Sequence, residues 1–277
     1  MSIAIVTDST SDLPTELVQQ LGIHVVPCTI NFADRSYRDG VDITHDEFYG
    51  FLTTSPTLPT TSAPPIGEFL KVYGPLVEAN CEVVSIHVSA NLSATLDSAL
   101  QAKSSLGDHH PIRVVDSHLV SMGLGLLVLE AAQLAQAGAG SQDIVDQINI
   151  SIEKTSVFCM LDTLEYVRRG GRIGAAAAFL ATTIGVKPII TLRDGGTHPV
   201  SRPRTRKKAI DKLVELVEGQ APLKSVCVLN STSDQDAETL RLRLTDLTQA
   251  EVISVRFGSV VGAHAGPGAL GVAMTRA

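Results

Sequence analysis

Small hydroxyl side chains recur in the loops that follow predicted strands of this 277-residue chain. They are Thr7, Ser9, Thr10, Ser11, Thr60, Thr61, Ser62, Ser89, Ser93, Thr95, Ser117 and Ser121. Hydroxyl groups can donate hydrogen bonds to an acidic head group, and ligands of open α/β sheets bind beyond the carboxyl ends of the strands. Because serine and threonine also cap helices, each position has a structural explanation beside the functional one.

Two short segments combine features that favour an anion. Ser93 comes directly before a predicted helix, whose free N–H groups and dipole favour a carboxylate or phosphate. Thr61 and Ser62 place two donors beside Pro64, which stiffens the backbone. His264 could supply a third donor, although a single loop histidine carries little information. Together these residues predict a site for an acidic head group.

The chain contains one literal G-x-G-x-x-G pattern, at residues 266–271. Only six residues follow it, too few for the crossover helix and second strand that dinucleotide binding requires. A tight glycine turn that brings backbone close to another group is the favoured interpretation. The sequence has no P-loop, H-E-x-x-H or G-x-S-x-G pattern. Its four cysteines are too far apart for a zinc site or a disulfide framework. We expect no cofactor and no metal.

The composition argues against two classes of partner. The formal net charge of -7 lacks the positive field that nucleic-acid binding needs. The longest apolar stretch, residues 122–134, is far shorter than a membrane span of about 20 residues. The first ten residues lack the basic region of a signal peptide. We expect a cytoplasmic protein that makes at most transient membrane contact and does not bind nucleic acid.

Hydrophobic patterning divides the chain into alternating strands and helices. Strands are predicted at residues 3–6, 23–30, 83–88 and 112–115, with helices after the first, third and fourth. This repetition indicates a largely parallel sheet with helices on both faces. Residues 53–65 contain four prolines and are predicted to form a loop or linker.

A second set of elements follows a predicted strand at residues 156–161. An alanine-rich helix is predicted from residue 175. A D-G-G turn at residues 194–196 predicts a hairpin of strands 187–192 and 197–201. Helices at 205–217 and 234–247 and strands at 225–229 and 252–255 complete an α/β sandwich. We predict an N-terminal α/β domain over residues 1–155 and a C-terminal α/β domain over residues 156–277.

A series of ordered motifs resembles those of the DegV family and spans essentially the whole chain. They are TDSTSDL at 7–13, TTSAP at 60–64, LSAT at 92–95, VDS at 115–117, DTLEY at 162–166, GGRIG at 170–174, VKP at 186–188 and HAGPG at 264–268. The resemblance implies the EDD fold, in which two α/β domains hold one long-chain fatty acid between them. The carboxylate then lies near the surface and the acyl tail in an apolar tunnel.

Transferred to matching positions, the resemblance implies that Thr61 and Ser93 hydrogen-bond the carboxylate. Ser62, the backbone of Ala94 and His264 are expected close by. Ala94 departs from the glycine that is frequent at this family position, and Pro65 stands where serine is frequent. We expect the tunnel to be lined by apolar helices, such as residues 123–132 and 175–184, whose small side chains equally suit ordinary helix packing.

Two functions from different classes remain open. The favoured one is a non-enzymatic carrier that binds a C14 to C20 fatty acid and presents its carboxylate to a separate ATP-dependent fatty acid kinase, as some family members do. The alternative is a hydrolase or transferase that uses Asp8, Asp116 and His264 as acid and base. Lipid binding is favoured because no nucleophile–base spacing can be argued from the sequence.

A cluster of arginines supplies a candidate docking surface for the kinase. Arg169, Arg172 and Arg202 belong to basic runs that could contact an acidic partner. A solvated helix face explains such a charge run equally well.

Overall fold

The computed structural model describes residues 2–32, 35–55, 57–107, 109–182, 185–248 and 251–277. The strands are β1 Ile3–Asp8, β2 His24–Val26, β3 Thr29–Phe32, β4 Arg35–Arg38, β5 Thr60–Ser62, β6 Glu82–His87, β7 Ile112–Asp116, β8 Thr155–Met160, β9 Ile189–Arg193, β10 Gly196–Ser201, β11 Leu223–Asn230, β12 Val252–Arg256 and β13 Leu270–Arg276. The α-helices are α1 Thr15–Leu21, α2 His45–Thr54, α3 Ile66–Glu78, α4 Thr95–Leu106, α5 Met122–Gln136, α6 Ser141–Lys154, α7 Glu165–Arg169, α8 Arg206–Glu218, α9 Asp234–Thr245 and α10 Ser259–Ala265. Short 3-10 helices cover Ser9–Ser11 and Gly174–Thr182.

The first sheet has the strand order β2-β1-β6-β7 and is parallel throughout. Successive side chains of β1 alternate between its faces, so Val6 packs with α3 and α4 while Ile5 packs with α5 and α6. This arrangement confirms the predicted parallel sheet with helices on both faces. The carboxyl ends of its strands carry three of the hydroxyl-rich loops.

The prediction of a single strand over residues 23–30 was wrong. The segment is divided into β2, in the first sheet, and β3, in a separate antiparallel sheet of order β4-β3-β5. Pro27 lies between them and has no N–H to donate, which favours the break. β5 lies within the segment predicted as loop, where Thr61 pairs with Ile30.

The second large sheet is mixed and has the order β10-β9-β8-β13-β11-β12. α8 and α9 pack on one face through a buried cluster of aliphatic side chains. The predicted hairpin is confirmed, because β9 and β10 are antiparallel and are joined by Asp194 and Gly195 with φ of 49° and 74°. Sequence reasoning missed β13, which lies in the middle of the sheet between β8 and β11.

α5 lies between the two large sheets and is buried along most of its length. A Cβ added at Gly123 would overlap Val157 of β8, and one at Gly125 would lie 2.7 Å from the Ser11 carbonyl oxygen. The small residues of α5 therefore serve close packing. The strands of the second large sheet all follow residue 154. The division into domains 1–155 and 156–277 stays a prediction, since one continuous core joins the two parts.

The alanine-rich segment from Gly174 is a 3-10 helix and not the predicted α-helix. The predicted segment extends to Ile184, which lies outside the described residues. No helix in the described part of the chain combines the length and the apolar character needed to cross a bilayer.

Candidate functional site

A largely apolar cavity lies where the loops of the first sheet, β5 and α10 face the second large sheet. Its volume is about 140 Å³. Apolar side chains that line it include Val88, Leu92, Val157, Leu161, Ile190 and Leu192. The predicted lining by residues 123–132 and 175–184 was wrong for the described residues, because none of them borders the cavity. Residues 123–132 belong to α5, which packs between the two large sheets.

The cavity is lined by a hydrogen-bonded threonine and histidine that are 203 residues apart in the chain. Thr61 Oγ1 lies 2.8 Å from His264 Nε2. β5 positions Thr61, and the last turn of α10 positions His264. Both side chains line the cavity, so the structure brings together two of the residues proposed from sequence.

The surroundings of the imidazole fix its protonation. Burial, with the positive charge of Arg172 as the second cause, lowers the pKa of His264 to about 4. The ring is therefore neutral at pH 7. Its Nδ1 is buried against Gly170 and has no hydrogen-bond partner among the described residues. A buried N–H without an acceptor is costlier than an unused nitrogen lone pair, so the proton belongs on Nε2. Nε2–H then donates to Thr61, which leaves the Thr61 hydroxyl proton available to the cavity.

Ser93 and Ser62 also line the cavity. The Thr95 backbone N–H donates to Ser93 Oγ at 3.3 Å, and the hydroxyls of the two residues lie 2.8 Å apart. Ser62 accepts a hydrogen bond from Asn31 Nδ2 at the exposed rim. Ala94 is the N-cap residue of α4, a position that sequence reasoning gave to Ser93.

The three arginines proposed for docking occupy different environments. Arg172 lines the cavity, and its Nε and Nη1 donate to the carbonyls of Leu92 and Gly170 at 2.9 and 2.6 Å. Arg169 is exposed and forms an ion pair with Glu165. The guanidinium carbon of Arg202 lies 4.9 Å from the centre of a phenylalanine ring, that of Phe179. The role of all three in docking stays a prediction.

A chain of buried hydrogen bonds that sequence reasoning missed supports the cavity wall. Tyr73 Oη donates to Ser85 Oγ at 2.7 Å, Ser85 Oγ lies 2.6 Å from His87 Nε2, and His87 Nδ1 lies 3.0 Å from Asp8 Oδ2. Asp8 also accepts from the backbone and the hydroxyl of Thr10, which lines the cavity. Burial raises the pKa of Asp8, but the hydrogen bond from His87 and its neighbours outweigh burial and lower it overall.

The order serine, histidine, aspartate matches a hydrolase triad, but Ser85 is fully buried and already accepts from a tyrosine. The acid–base set proposed for the alternative enzyme is not assembled either. Asp8 is fully buried, and Asp116 accepts from the backbone N–H of His118 and of Ala90. Of that set, only His264 lines the cavity.

The glycines of residues 266–271 serve packing, as the sequence predicted. A Cβ on Gly266, at φ 77°, would lie 2.7 Å from Cγ of Tyr166. One on Gly268, at φ 76°, would lie 2.9 Å from Cγ of Asp162. No group of three or more histidine, cysteine, aspartate or glutamate side chains in the described ranges is arranged to hold a metal ion.

Comparison with known proteins identifies the family. A family model described as uncharacterised proteins of the DegV family matches residues 2–277. This chain belongs to the DegV family. It is 37% identical over 280 residues to a DegV domain-containing protein of Deinococcus radiodurans, covering 99% of this chain and 98% of the relative.

Solved structures of DegV-family proteins have the same fold as this one. A fatty-acid-binding DegV-family protein from Thermus thermophilus superimposes with a TM-score of 0.93 at 33% identity, with 99% of both chains covered. DegV of Bacillus subtilis, described as a fatty acid binding protein, superimposes with a TM-score of 0.90 at 33% identity, again with 99% of both chains covered. The α/β architecture expected of the family is thereby confirmed.

Proposed function

We propose that this protein binds one long-chain fatty acid, of 14 to 20 carbons, with the tail in the cavity and the carboxylate at the Thr61 end. The observation that carries the proposal is a largely apolar cavity whose few polar lining residues include the paired Thr61 and His264 and also Ser93. The fatty-acid-binding relatives of the same fold support it.

The head-group end suits a carboxylate. Thr61 and Ser93 each offer a hydroxyl, and hydrogen bonds from hydroxyls to a charged acceptor offset its loss of hydration. His264 is neutral, so it orients Thr61 through a hydrogen bond and adds no positive charge to the site. Arg172 adds positive potential, but two backbone carbonyls already hold its guanidinium. The carboxylate is thus stabilised without a bidentate arginine clamp and stays reactive.

The acyl tail supplies most of the affinity. Burial of ~14 methylenes at about 0.8 kcal/mol each gives about 11 kcal/mol before the costs of association. The cavity walls of valine, leucine and isoleucine provide the apolar surroundings that this burial requires. The head-group hydrogen bonds add a smaller contribution to the affinity and fix the orientation of the acid.

Native mass spectrometry of the freshly purified protein tests the proposal, followed by extraction and identification of bound lipid. We expect a stoichiometric C14 to C20 fatty acid, lost in the variant Thr61→Ala/Ser93→Ala. The matched control is Ser105→Ala/Thr239→Ala, which makes the same changes on exposed helix faces. Protein that stays empty after fatty acid is added contradicts the proposal.

We further propose that the bound carboxylate is presented to an ATP-dependent fatty acid kinase. A carboxylate oxygen would accept the γ-phosphoryl group of ATP, giving an acyl phosphate and ADP. Exposed Ser62 beside the cavity and Arg169 on α7 support a head group reachable from solvent and a nearby basic surface.

The docking proposal requires that charge reversal slow transfer without emptying the cavity. We expect Arg169→Glu and Arg202→Glu to lower phosphoryl transfer from a purified bacterial fatty acid kinase, while native mass spectrometry still finds bound fatty acid. Arg241→Glu, on exposed α9, is the matched control. Unchanged transfer in both test variants would remove the docking role.

A further inference from the structure

Phe257 is the only phenylalanine or tyrosine among the described residues that line the cavity. It follows β12 directly and is 2% exposed. Its backbone is held on both sides, because its N–H donates to the Asn230 carbonyl at 2.8 Å and its carbonyl accepts from Tyr49 Oη at 3.0 Å. The ring therefore projects from a fixed point of the backbone.

Gly271 of β13 lies behind this ring. A Cβ added at Gly271 would lie 3.3 Å from Phe257 Cζ and 3.0 Å from the Phe158 carbonyl oxygen. Contacts this short would force the ring to move by a few tenths of an ångström. The absence of a side chain at Gly271 thus determines how closely the Phe257 ring packs against β13. It thereby determines how much of the cavity the ring occupies.

The position of the ring relative to the head group follows from α10. Phe257 precedes the helix and His264 lies in its last turn. The five residue steps from Ser259 to His264 span about 7.5 Å at the helical rise, and Phe257 lies two residues before the helix begins. The backbone of Phe257 is thus separated from the head-group residue His264 by most of the length of α10, and an acyl chain held at Thr61 would meet the ring along its length.

We infer that Phe257, held at its depth by Gly271, sets the width of the cavity beside the acyl chain and so selects between straight and kinked fatty acids. This inference rests on the proposed binding of fatty acids. An extended saturated chain needs the same width along its length, whereas a cis double bond at mid-chain needs additional width at the bend. Rigid walls reject such a difference in shape more strongly than mobile ones.

Competition between two acids of equal length tests the inference. Wild-type protein and variants are incubated with equimolar stearic and oleic acid, and native mass spectrometry measures the bound ratio. We expect Phe257→Leu to raise the ratio of oleic to stearic acid by about threefold or more, because it removes ring atoms from the wall. Gly271→Ala is expected to lower the ratio by pushing the ring into the cavity. Phe257→Met is a second enlarging variant if the leucine variant does not fold.

Phe158→Leu is the matched control. It makes the same substitution in a buried phenylalanine of β8 that belongs to the cluster beneath α8 and α9 and does not line the cavity. We expect its ratio to equal that of wild type. A wild-type protein that binds both acids, with the ratio unchanged in the enlarging variants, overturns the inference and leaves fatty acid binding intact. A wild-type protein that binds neither acid overturns the proposed function and this inference together.

Discussion

Thr61→Val removes one hydroxyl while keeping the shape of a β-branched side chain on β5. The bound carboxylate loses a hydrogen bond to a charged acceptor, a contribution of about 1.5–3 kcal/mol. A loss of about 2 kcal/mol raises the Kd about 30-fold. The free protein is affected as well, because the Nε2–H of His264 loses its acceptor at 2.8 Å. We therefore expect the free energy of unfolding to fall by about 1–2 kcal/mol.

Titration calorimetry with palmitic acid and with its methyl ester measures the head-group part of this effect. The ester carries no charge, so the substitution should weaken its binding only about fivefold. Thr60→Val is the control, since Thr60 is the exposed neighbour on the same strand. The reasoning is refuted if folded Thr61→Val binds the acid as tightly as wild type, or if the acid and its ester lose the same affinity.

Three further predictions concern stability, each measured by urea unfolding. Because the pKa of His264 falls from 6.5 to about 4 on folding, the unfolded state takes up the proton first as the pH falls. The neutral ring should therefore stabilise the folded protein above pH 6.5, and the free energy of unfolding should fall by about 3 kcal/mol between pH 7 and pH 4. His264→Gln should lack this pH dependence. An equal slope of unfolding free energy against pH in both proteins would contradict the prediction. Gly266→Ala should lower the free energy of unfolding by at least about 1 kcal/mol more than Gly138→Ala does. Both glycines have positive φ, but a Cβ at Gly266 would overlap the Tyr166 ring, whereas one at Gly138 would meet nothing within 4 Å. Equal losses would show that the tyrosine ring beside Gly266 is not the cause. Tyr73→Phe should lower the free energy of unfolding by about 1 kcal/mol, because it removes the donor to Ser85. Fatty acid affinity should stay unchanged. No loss of stability would mean that the buried chain of hydrogen bonds contributes nothing to the free energy of unfolding.

Local patterns in the sequence were sufficient for elements whose cause is local. The D-G-G turn predicted the β9–β10 hairpin, because Asp194 and Gly195 tolerate positive φ and few other residues do. The repeated strand–loop–helix pattern predicted the parallel sheet. Hydroxyl residues at strand ends, together with the motif resemblance, indicated Thr61, Ser62 and Ser93, all of which line the cavity.

Patterning failed where a distant neighbour decides the conformation. The strand predicted over residues 23–30 divides between two sheets, because β3 finds its partners in β4 and β5 after the break at Pro27. Gly174–Thr182 has the composition of an α-helix but is a 3-10 helix packed beside β10. Its apolar composition alone does not distinguish these two states.

The sequence by itself determined the fold class, the family and the candidate head-group residues. Only the tertiary structure decided that His264 orients Thr61, that Arg172 lies in the cavity wall and that Gly271 leaves room for Phe257. Periodicity tells which face of an element is buried, but not which remote element will face it. The contact between Thr61 and His264, 203 residues apart, exists only once α10 has packed against the small sheet that contains β5.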